Sequence, residues 1–477
     1  MSSFPTQVDE TIPRRAWMAL LVSTLVVFLS VINVSSVHVA FPTIRRELGA
    51  TDVQLSWIVG AYSLVLGSFM LAFGRLADSL GRRRVYLPGV AVFALGSLIC
   101  ATAPGIEWLI VGRLVQGLGG AVTVATGFAV MLPEFPPMRR STPIGIVGAA
   151  GGLGAVTGPV VGSLVIDLAS WRGVFWLNVP FCLLVLVIGP RFLSESRAPD
   201  AAGRIDWWGV ALGTAGIGSI MFAITQSDTW GFADPRIGGL AAAGLLLVGL
   251  LVRRSRHQPE PLLDLALFRH RSFTSANIGV VFFGLAFGAG ALVSSILLQD
   301  VWDLTVRDVG LVLAPGPLLG AVLSPVVGWA ADRFGHRWLL VVGCALCALG
   351  YTLLAIFIST DAAPWAQYVP LSLVVGMGTG LAVSTWNSAA VADVPTARFG
   401  TAAATVNTLR QVSIGLGIAV VVVLIASAGT TPTLLGVQRA YSFIACCFLS
   451  ASVAVALTFP AGSARDRASA LDDRRER

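Results

Sequence analysis

The chain has 477 residues, 55% of them hydrophobic and only 12% charged, with a mean hydropathy of +0.81. A soluble protein carries about twice that charged fraction, so the composition excludes a soluble globule and reads as an integral membrane protein. The net charge is +7 and all 32 basic residues are arginine; without lysine there is no phosphate-loop ATPase, and arginines scattered through short loops form no face for nucleic acid.

A hydrocarbon core of about 30 Å needs about 20 apolar residues per helix. By that measure the sequence holds fourteen spans, starting near residues 17, 54, 85, 107, 142, 174, 206, 237, 272, 308, 338, 366, 401 and 438. Helices are the expected form, because every backbone polar group must be satisfied within the span. Arg14 and Arg15 precede the first apolar run, which continues to about residue 41. That is too long for the apolar region of a signal peptide, so it reads as a retained span. Helix one is expected to leave the membrane near Pro42.

The expected organisation is a tail over 1–16, a six-helix bundle over 17–194, and a linker with two extra spans over 195–252. A second linker over 253–271 mixes arginines with leucines and reads as a short amphipathic helix on the inner leaflet. A second six-helix bundle over 272–460 and a charged tail over 461–477 complete the chain. With the N-terminus cytoplasmic, inside segments hold about four arginines for each one outside, which places both termini in the cytoplasm. The six cysteines (Cys100, Cys182, Cys344, Cys347, Cys446 and Cys447) lie in apolar segments and read as small buried residues, the C-x-x-C of Cys344 and Cys347 included.

An internal repeat stands out. GRLADSLGRR (74–83) and GWAADRFGHR (328–337) share Gly, Ala, Asp, Gly and Arg at the same offsets, each after the second helix of a six-helix half. Parallel halves of this kind typify transporters whose substrate site lies between them. Further motifs follow: LIVGRLVQGLGGA (109–121), GIVGAAGGLGAVTGPVVGS (145–163), WRGVFWLNVP (171–180) and PLLDLALFRHRSF (261–273).

Together these motifs resemble the major facilitator superfamily, within it the 14-helix drug:proton antiporter branch. The resemblance implies an all-α fold of two six-helix bundles plus two extra spans. It implies a bacterial cytoplasmic-membrane exporter of drugs or antibiotics, working by alternating access and proton antiport; it is a transporter, not an enzyme. No cofactor is expected beyond a proton gradient, no ATP and no nucleic acid, and the protein is expected to be a monomer in the bilayer. The gating loops are then Gly74, Asp78, Gly81 and Arg82, with Gly328, Asp332, Gly335 and Arg337 in the second half. Asp78 is expected to latch against the start of helix thirteen near Gly400, where a helix N-terminus attracts a carboxylate. The antiporter motif contributes Gly145, Gly154, Gly158, Pro159 and Gly162. Gly154, Gly158 and Gly162 recur every four residues and allow close helix approach, and Pro159 invites a bend.

The polar residues inside the spans are few. Arg113 lies about 9 Å into helix four with Gln116 one turn on, and a charge at that depth is expected to face a cavity or a partner. Asn407 and Arg410 form a comparable pair in helix thirteen. Trp386 and Asn387 are candidates for lining the cavity, with packing as the alternative. The first span reads FLSVINVSSVHVAFP over 28–42. Aligned on Ala40 and Pro42, the family's aspartate falls at Asn33 and its asparagine at His38. The acid has become its amide, and no Asp or Glu lies mid-span anywhere. His38 is then the intramembrane candidate for protons, its reference pKa of about 6.5 suiting a switch; a buried neutral histidine is the alternative. An arginine-bearing cavity without an acid is expected to favour anionic, neutral or zwitterionic amphipathic compounds over cations. A facilitator or importer of an organic solute, and a non-transporting scaffold or sensor, are the competing readings.

Overall fold

The computed structural model describes residues 13–135, 141–197, 205–231, 233–258, 261–394, 399–428 and 433–460. The helices of the first half are α1 (Arg14–Leu48), α2 (Asp52–Leu80), α3 (Arg82–Ala101), α4 (Ile106–Met131), α5 (Ser141–Leu168), α6 (Arg172–Trp176) and α7 (Asn178–Phe192). The inserted pair is α8 (Trp207–Trp230) and α9 (Pro235–His257). The second half comprises α10 (Arg271–Ile296), α11 (Val306–Leu313), α12 (Pro315–Phe334), α13 (His336–Phe357), α14 (Val369–Val391), α15 (Phe399–Ala426) and α16 (Leu434–Thr458).

Thirteen stretches among the described residues are long and apolar enough to cross a membrane, with α6 and α7 joined into one and α11 and the start of α12 into another. Helix α5, whose described apolar part is Thr157–Leu168, makes the fourteenth crossing. Each crossing starts within four residues of its expected position.

Helix α1 runs through Pro42 to Leu48, where Gly49 ends it at φ 61°. Pro42 has no N–H to give to the carbonyl four residues back, so the backbone of His38 is left without its usual helical donor. The segment 253–271 is not one amphipathic helix: its first arginines belong to the last turns of α9, and Leu265–Arg269 is a 3-10 turn. The span expected from 308 is interrupted between α11 and α12 at Ala314, before Pro315.

The repeated loops show why their glycines are there. Gly81 (φ 117°) and Gly335 (φ 81°) occupy backbone regions that disfavour any Cβ. Each turns the chain directly from one long helix into the next. The arginine two residues further on then does the same work in both halves. Arg83 donates to the carbonyl of Leu193 at the end of α7, at 3.2 Å. Arg337 donates to the carbonyl of Ala456 in the last turn of α16. A cation at a helix C-terminus satisfies an orphan carbonyl and opposes the dipole. Glu195 complements this in the first half by accepting from the backbone N–H groups of Arg83 and Arg84 at the start of α3.

Within the first half α1 packs on α5 and α7, and α4 on α2 and α3; within the second, α10 packs on α15 and α16, and α13 on α14 and α16. The halves meet along two seams, α2 against α15 and α5 against α11 and α12. At the end away from the repeated loops the halves are sealed. Arg45 of α1 pairs with Asp300 at 3.3 Å, and the buried Gln299 amide donates to the carbonyl of Val39 at 3.0 Å. One apolar core runs across both halves there, from Val37, Phe41 and Ile58 to Leu298, Val309 and Ile418. Toward the repeated loops smaller cores lie around Tyr86, Phe93 and Val130, with Ala404 of α15 packed against it, and around Met131 and Phe135. Helix α8 lies over the α2–α15 seam, with α9 packed on its far side. Met221 of α8 is 2% exposed, and a Cβ at Gly60 would come to 2.8 Å of its methyl, one at Gly415 to 3.1 Å.

Small residues set the closest approaches. A Cβ at Gly376 of α14 would run into the carbonyl of Gly316 on α12, whereas Gly249 of α9 faces open space. Gly376→Ala is therefore expected to lower the thermal midpoint of the purified protein, at a cost of about 1–3 kcal/mol. Gly249→Ala is expected to be neutral or stabilising. Equal midpoints for the two variants would contradict the packing.

Candidate functional site

The polar residues of the first half converge on Arg113. It enters from α4 about 10 Å from the helix start and is fully buried, as are Gln116 and Asn33. Its Nε donates to the carbonyl of Ile58 on α2 at 2.7 Å. Its Nη1 donates to Oδ1 of Asn33 on α1 at 2.6 Å and to Oε1 of Gln116. Gln116 in turn donates to Ser97 on α3 at 2.7 Å, and Ser97 to the carbonyl of Phe93. The guanidinium lies 4.3 Å from the centre of the Tyr62 ring and 6.0 Å from that of Phe175. Five helices thus meet on one cation.

The energetics divide into two parts. Removing a cation from water costs several kcal/mol. Three hydrogen bonds to a charged group contribute about 1.5–3 kcal/mol each, and a desolvated ring face about 2 kcal/mol. These offset the loss of water, but all the acceptors are neutral, so the positive charge itself persists. At an effective dielectric of about 20, a unit anion about 6 Å away gains about 3 kcal/mol from it, and a cation loses as much. Two N–H2 groups of the cluster, Nη2 of Arg113 and Nδ2 of Asn33, have no protein acceptor, and neither do the ring nitrogens of His38. His38 is buried, lies edge-on to Phe41 at 6.2 Å and is within electrostatic reach of Arg113.

The serines of the first span belong to helix packing. Ser36 donates to the carbonyl of Gly158 at 2.7 Å and Ser35 to that of Gly154 at 3.4 Å. Gly154, Gly158 and Gly162 lie along one face of α5 against Val31, Ser35 and Ser36 of α1. Pro159 and Ser163 turn the other way, toward Gly310 of α11 in the second half. The motif therefore grips α1 with one face and the opposite half with another.

In the second half, Arg410 donates to Oδ1 of Asn407 at 2.6 Å, and both side chains are only partly buried. Ile414 and Ile418, which continue that face by helical spacing, enter the core that joins the halves. On that face Ile414 and Ile418 pack on Gly288 of α10, and the backbone of Arg410 lies against Gly284. Trp386 lines no open space. It is fully buried between α10 and α14, against Phe283 at 5.7 Å and Gly279, because an indole fits the notch that a glycine leaves.

At the repeated loops Asp78 accepts from Arg82 one turn on, at 2.9 Å, and Gly74 sits on α2 near Ala125 of α4. Gly145, Gly328, Asp332, Asn387 and Gly400 fall on helices α5, α12, α14 and α15, but their surroundings lie outside the described residues. At the opposite end Trp171 donates to Glu47 at 2.7 Å, with Arg172 stacked on its ring at 4.3 Å; the WRGVFW motif so fastens the end of α1 and aims Phe175 at Arg113. Cys344 and Cys347 are buried, the latter against Gly378 of α14.

Sequence reasoning did not find Tyr62, Ser97, Phe175 or the Ile58 carbonyl. A tyrosine in the middle of an apolar α2 is the one signal that points to a polar neighbour. The rest are partners across helices, which periodicity along one helix does not report.

Two six-helix halves that meet along two seams, with a buried polar cluster in the first, have the architecture of a membrane transporter. The family model described as Major Facilitator Superfamily matches residues 23–418, and the chain belongs to that superfamily. It is 33% identical over 410 residues to the multidrug resistance protein Stp of Mycobacterium tuberculosis, covering 85% of this chain and 75% of that one. It is 31% identical over 417 residues to the tetracenomycin C resistance and export protein of Streptomyces glaucescens, covering 87% and 76%. Among solved structures, a POT family transporter in complex with a thioalcohol-conjugated peptide superposes with a TM-score of 0.70 at 15% identity, covering 92% of this chain and 95% of that one.

The Tyr62 ring face can be tested apart from its hydroxyl. Tyr62→Phe is expected to keep the thermal midpoint within about 1 °C, whereas Tyr62→Leu loses the stacked face and about 2 kcal/mol. Equal midpoints for the two variants would show that the ring does not support Arg113.

Proposed function

We propose that the protein exports small amphipathic compounds from the cytoplasm by rocking its two halves about the α2–α15 and α5–α11 seams. The arginine asymmetry supports placing the repeated loops and both termini on the cytoplasmic side. The observation that carries the reading is the seal at the far end, made by Arg45–Asp300, Gln299–Val39 and a shared apolar core. Asn407 and Arg410, by contrast, are partly exposed. On this reading the transporter is open to the inside. In this state Asp78 is engaged by Arg82, which suits a latch that re-forms on α15 when the inside closes. The names of the relatives, a multidrug resistance protein and an antibiotic exporter, support efflux as the direction.

Two buried or half-buried arginines and no mid-span acid give the substrate path a positive field. We therefore assign anionic and neutral amphipathic compounds as preferred cargo; the discrimination against cations of the same shape is about a hundredfold for neutral compounds and about ten-thousandfold for anions. The proton gradient is the proposed energy source, with His38 as the titrating group within the path, no ATP and a monomer as the working unit.

Inverted membrane vesicles with an imposed pH gradient test this directly. Anionic and neutral dyes are expected to accumulate in the lumen faster than ethidium, and Asp78→Asn is expected to slow them about tenfold, or about 1.4 kcal/mol in the barrier. Ethidium accumulating as fast as the anionic dye would overturn the assignment of cargo. Replacing His38 by Gln is expected to flatten the dependence of transport on pH; an unchanged profile would remove His38 from the coupling.

A further inference from the structure

Arg113 presents an unusual sum. Its charge is surrounded by a backbone carbonyl, two amide oxygens and two rings, and none of these is negative. The side chain that the family pattern would supply as a carboxylate is Asn33, held 2.6 Å away. Both residues are fully buried, and each retains an N–H2 group with no protein acceptor. A carboxylate at position 33 would add negative charge and remove one of these donors altogether. The amide does the reverse: it keeps the geometry, adds a donor and leaves the cation uncancelled. Since an arginine cannot shed its proton in a protein, the remaining way to neutralise the cluster is a ligand that carries one negative charge and accepts two N–H groups. The two orphan groups belong to side chains already joined by a hydrogen bond, which keeps them within reach of one small ion.

We propose that Arg113 and Asn33 form a binding site for a small monovalent anion, a free halide such as chloride or a carboxylate group, which takes the place of the family's fixed acid. The inference rests on the first bundle alone and not on the direction of transport; while the anion is bound, the positive field on the path is that of Arg410. The anion neutralises the cluster whenever the path opens to it, so the charge state of the site follows the anion concentration instead of the pH.

The test uses the purified full-length protein in detergent, with sodium isethionate as the reference salt at constant ionic strength. Titration with sodium chloride, and separately with sodium acetate, is expected to raise the thermal midpoint saturably by about 3 °C or more in at least one arm. Asn33→Asp carries its own carboxylate, so it is expected to start from a higher midpoint and to respond to neither salt. A response to chloride identifies a free halide as sufficient; a response to acetate alone identifies a carboxylate. No response in either arm, or the same response in the wild-type protein and Asn33→Asp, overturns the proposal. Should Asn33→Asp fail to fold, saturable binding of radioactive chloride or acetate to the wild-type protein decides it, and absence of binding to both refutes the site. Failure here leaves the vesicle export assay untouched, so the two readings fall separately.

Discussion

The first bundle is organised around a buried cation. Arg113 draws in a carbonyl from α2, an amide from α1 and another from its own helix, and rests on the ring of Tyr62. A buried charge is tolerated only where its hydrogen bonds are met with good geometry. The positions of α1, α2, α3 and α4 about one another are therefore constrained at this level far more sharply than packing of leucines and valines would do. Lipid tails are as apolar as those side chains, so they give little drive for one helix arrangement over another. Polar convergence supplies the specificity.

Glycine and serine supply the other constraint, closeness. Along the α1–α5 contact, hydroxyls of Ser35 and Ser36 reach backbone oxygens of α5 because Gly154 and Gly158 present no side chain. Ser163 and Pro159 meet Gly310 on the other half. A helix held by backbone contact on one face and by a glycine on the other can move as a unit with α1 while sliding on α11. The inserted helices add a different element: α8 lays Met221 into the notch between Gly60 and Gly415, across the α2–α15 seam. A flexible thioether fills a gap of changing shape better than a branched side chain, which fits a position over a moving contact.

The repeat has a structural meaning that its spelling only suggests. Arg83 and Arg337 each reach the closing turn of the last helix in their own half. The glycines before them hold a positive φ so that the turn is tight enough for this reach. Each half is thereby tied from the start of its third helix to the end of its sixth, so the loop that carries the motif braces its own half.

Much of the protein was legible in its sequence. The number of crossings, their starts and the two-fold organisation follow from runs of apolar residues and from Gly-x-x-Ala-Asp-x-x-Gly-x-Arg at 74–83 and 328–337, because bilayer thickness and backbone hydrogen bonding leave helices no alternative. The rarity of polar residues in spans also singled out Asn33, Arg113 and Gln116, since a membrane makes each such residue conspicuous. What only the tertiary structure decided was which of them meet. Asn33 and Arg113 are 80 residues apart and share a hydrogen bond, while Trp386, equally conspicuous, is core. Helix α1 continues through Pro42 to Leu48, so the proline is a site within the helix and not its end. Sequence periodicity reports the face a residue occupies on its own helix; which helix lies opposite that face is fixed by long-range packing, and the chemistry of this site lives in that pairing.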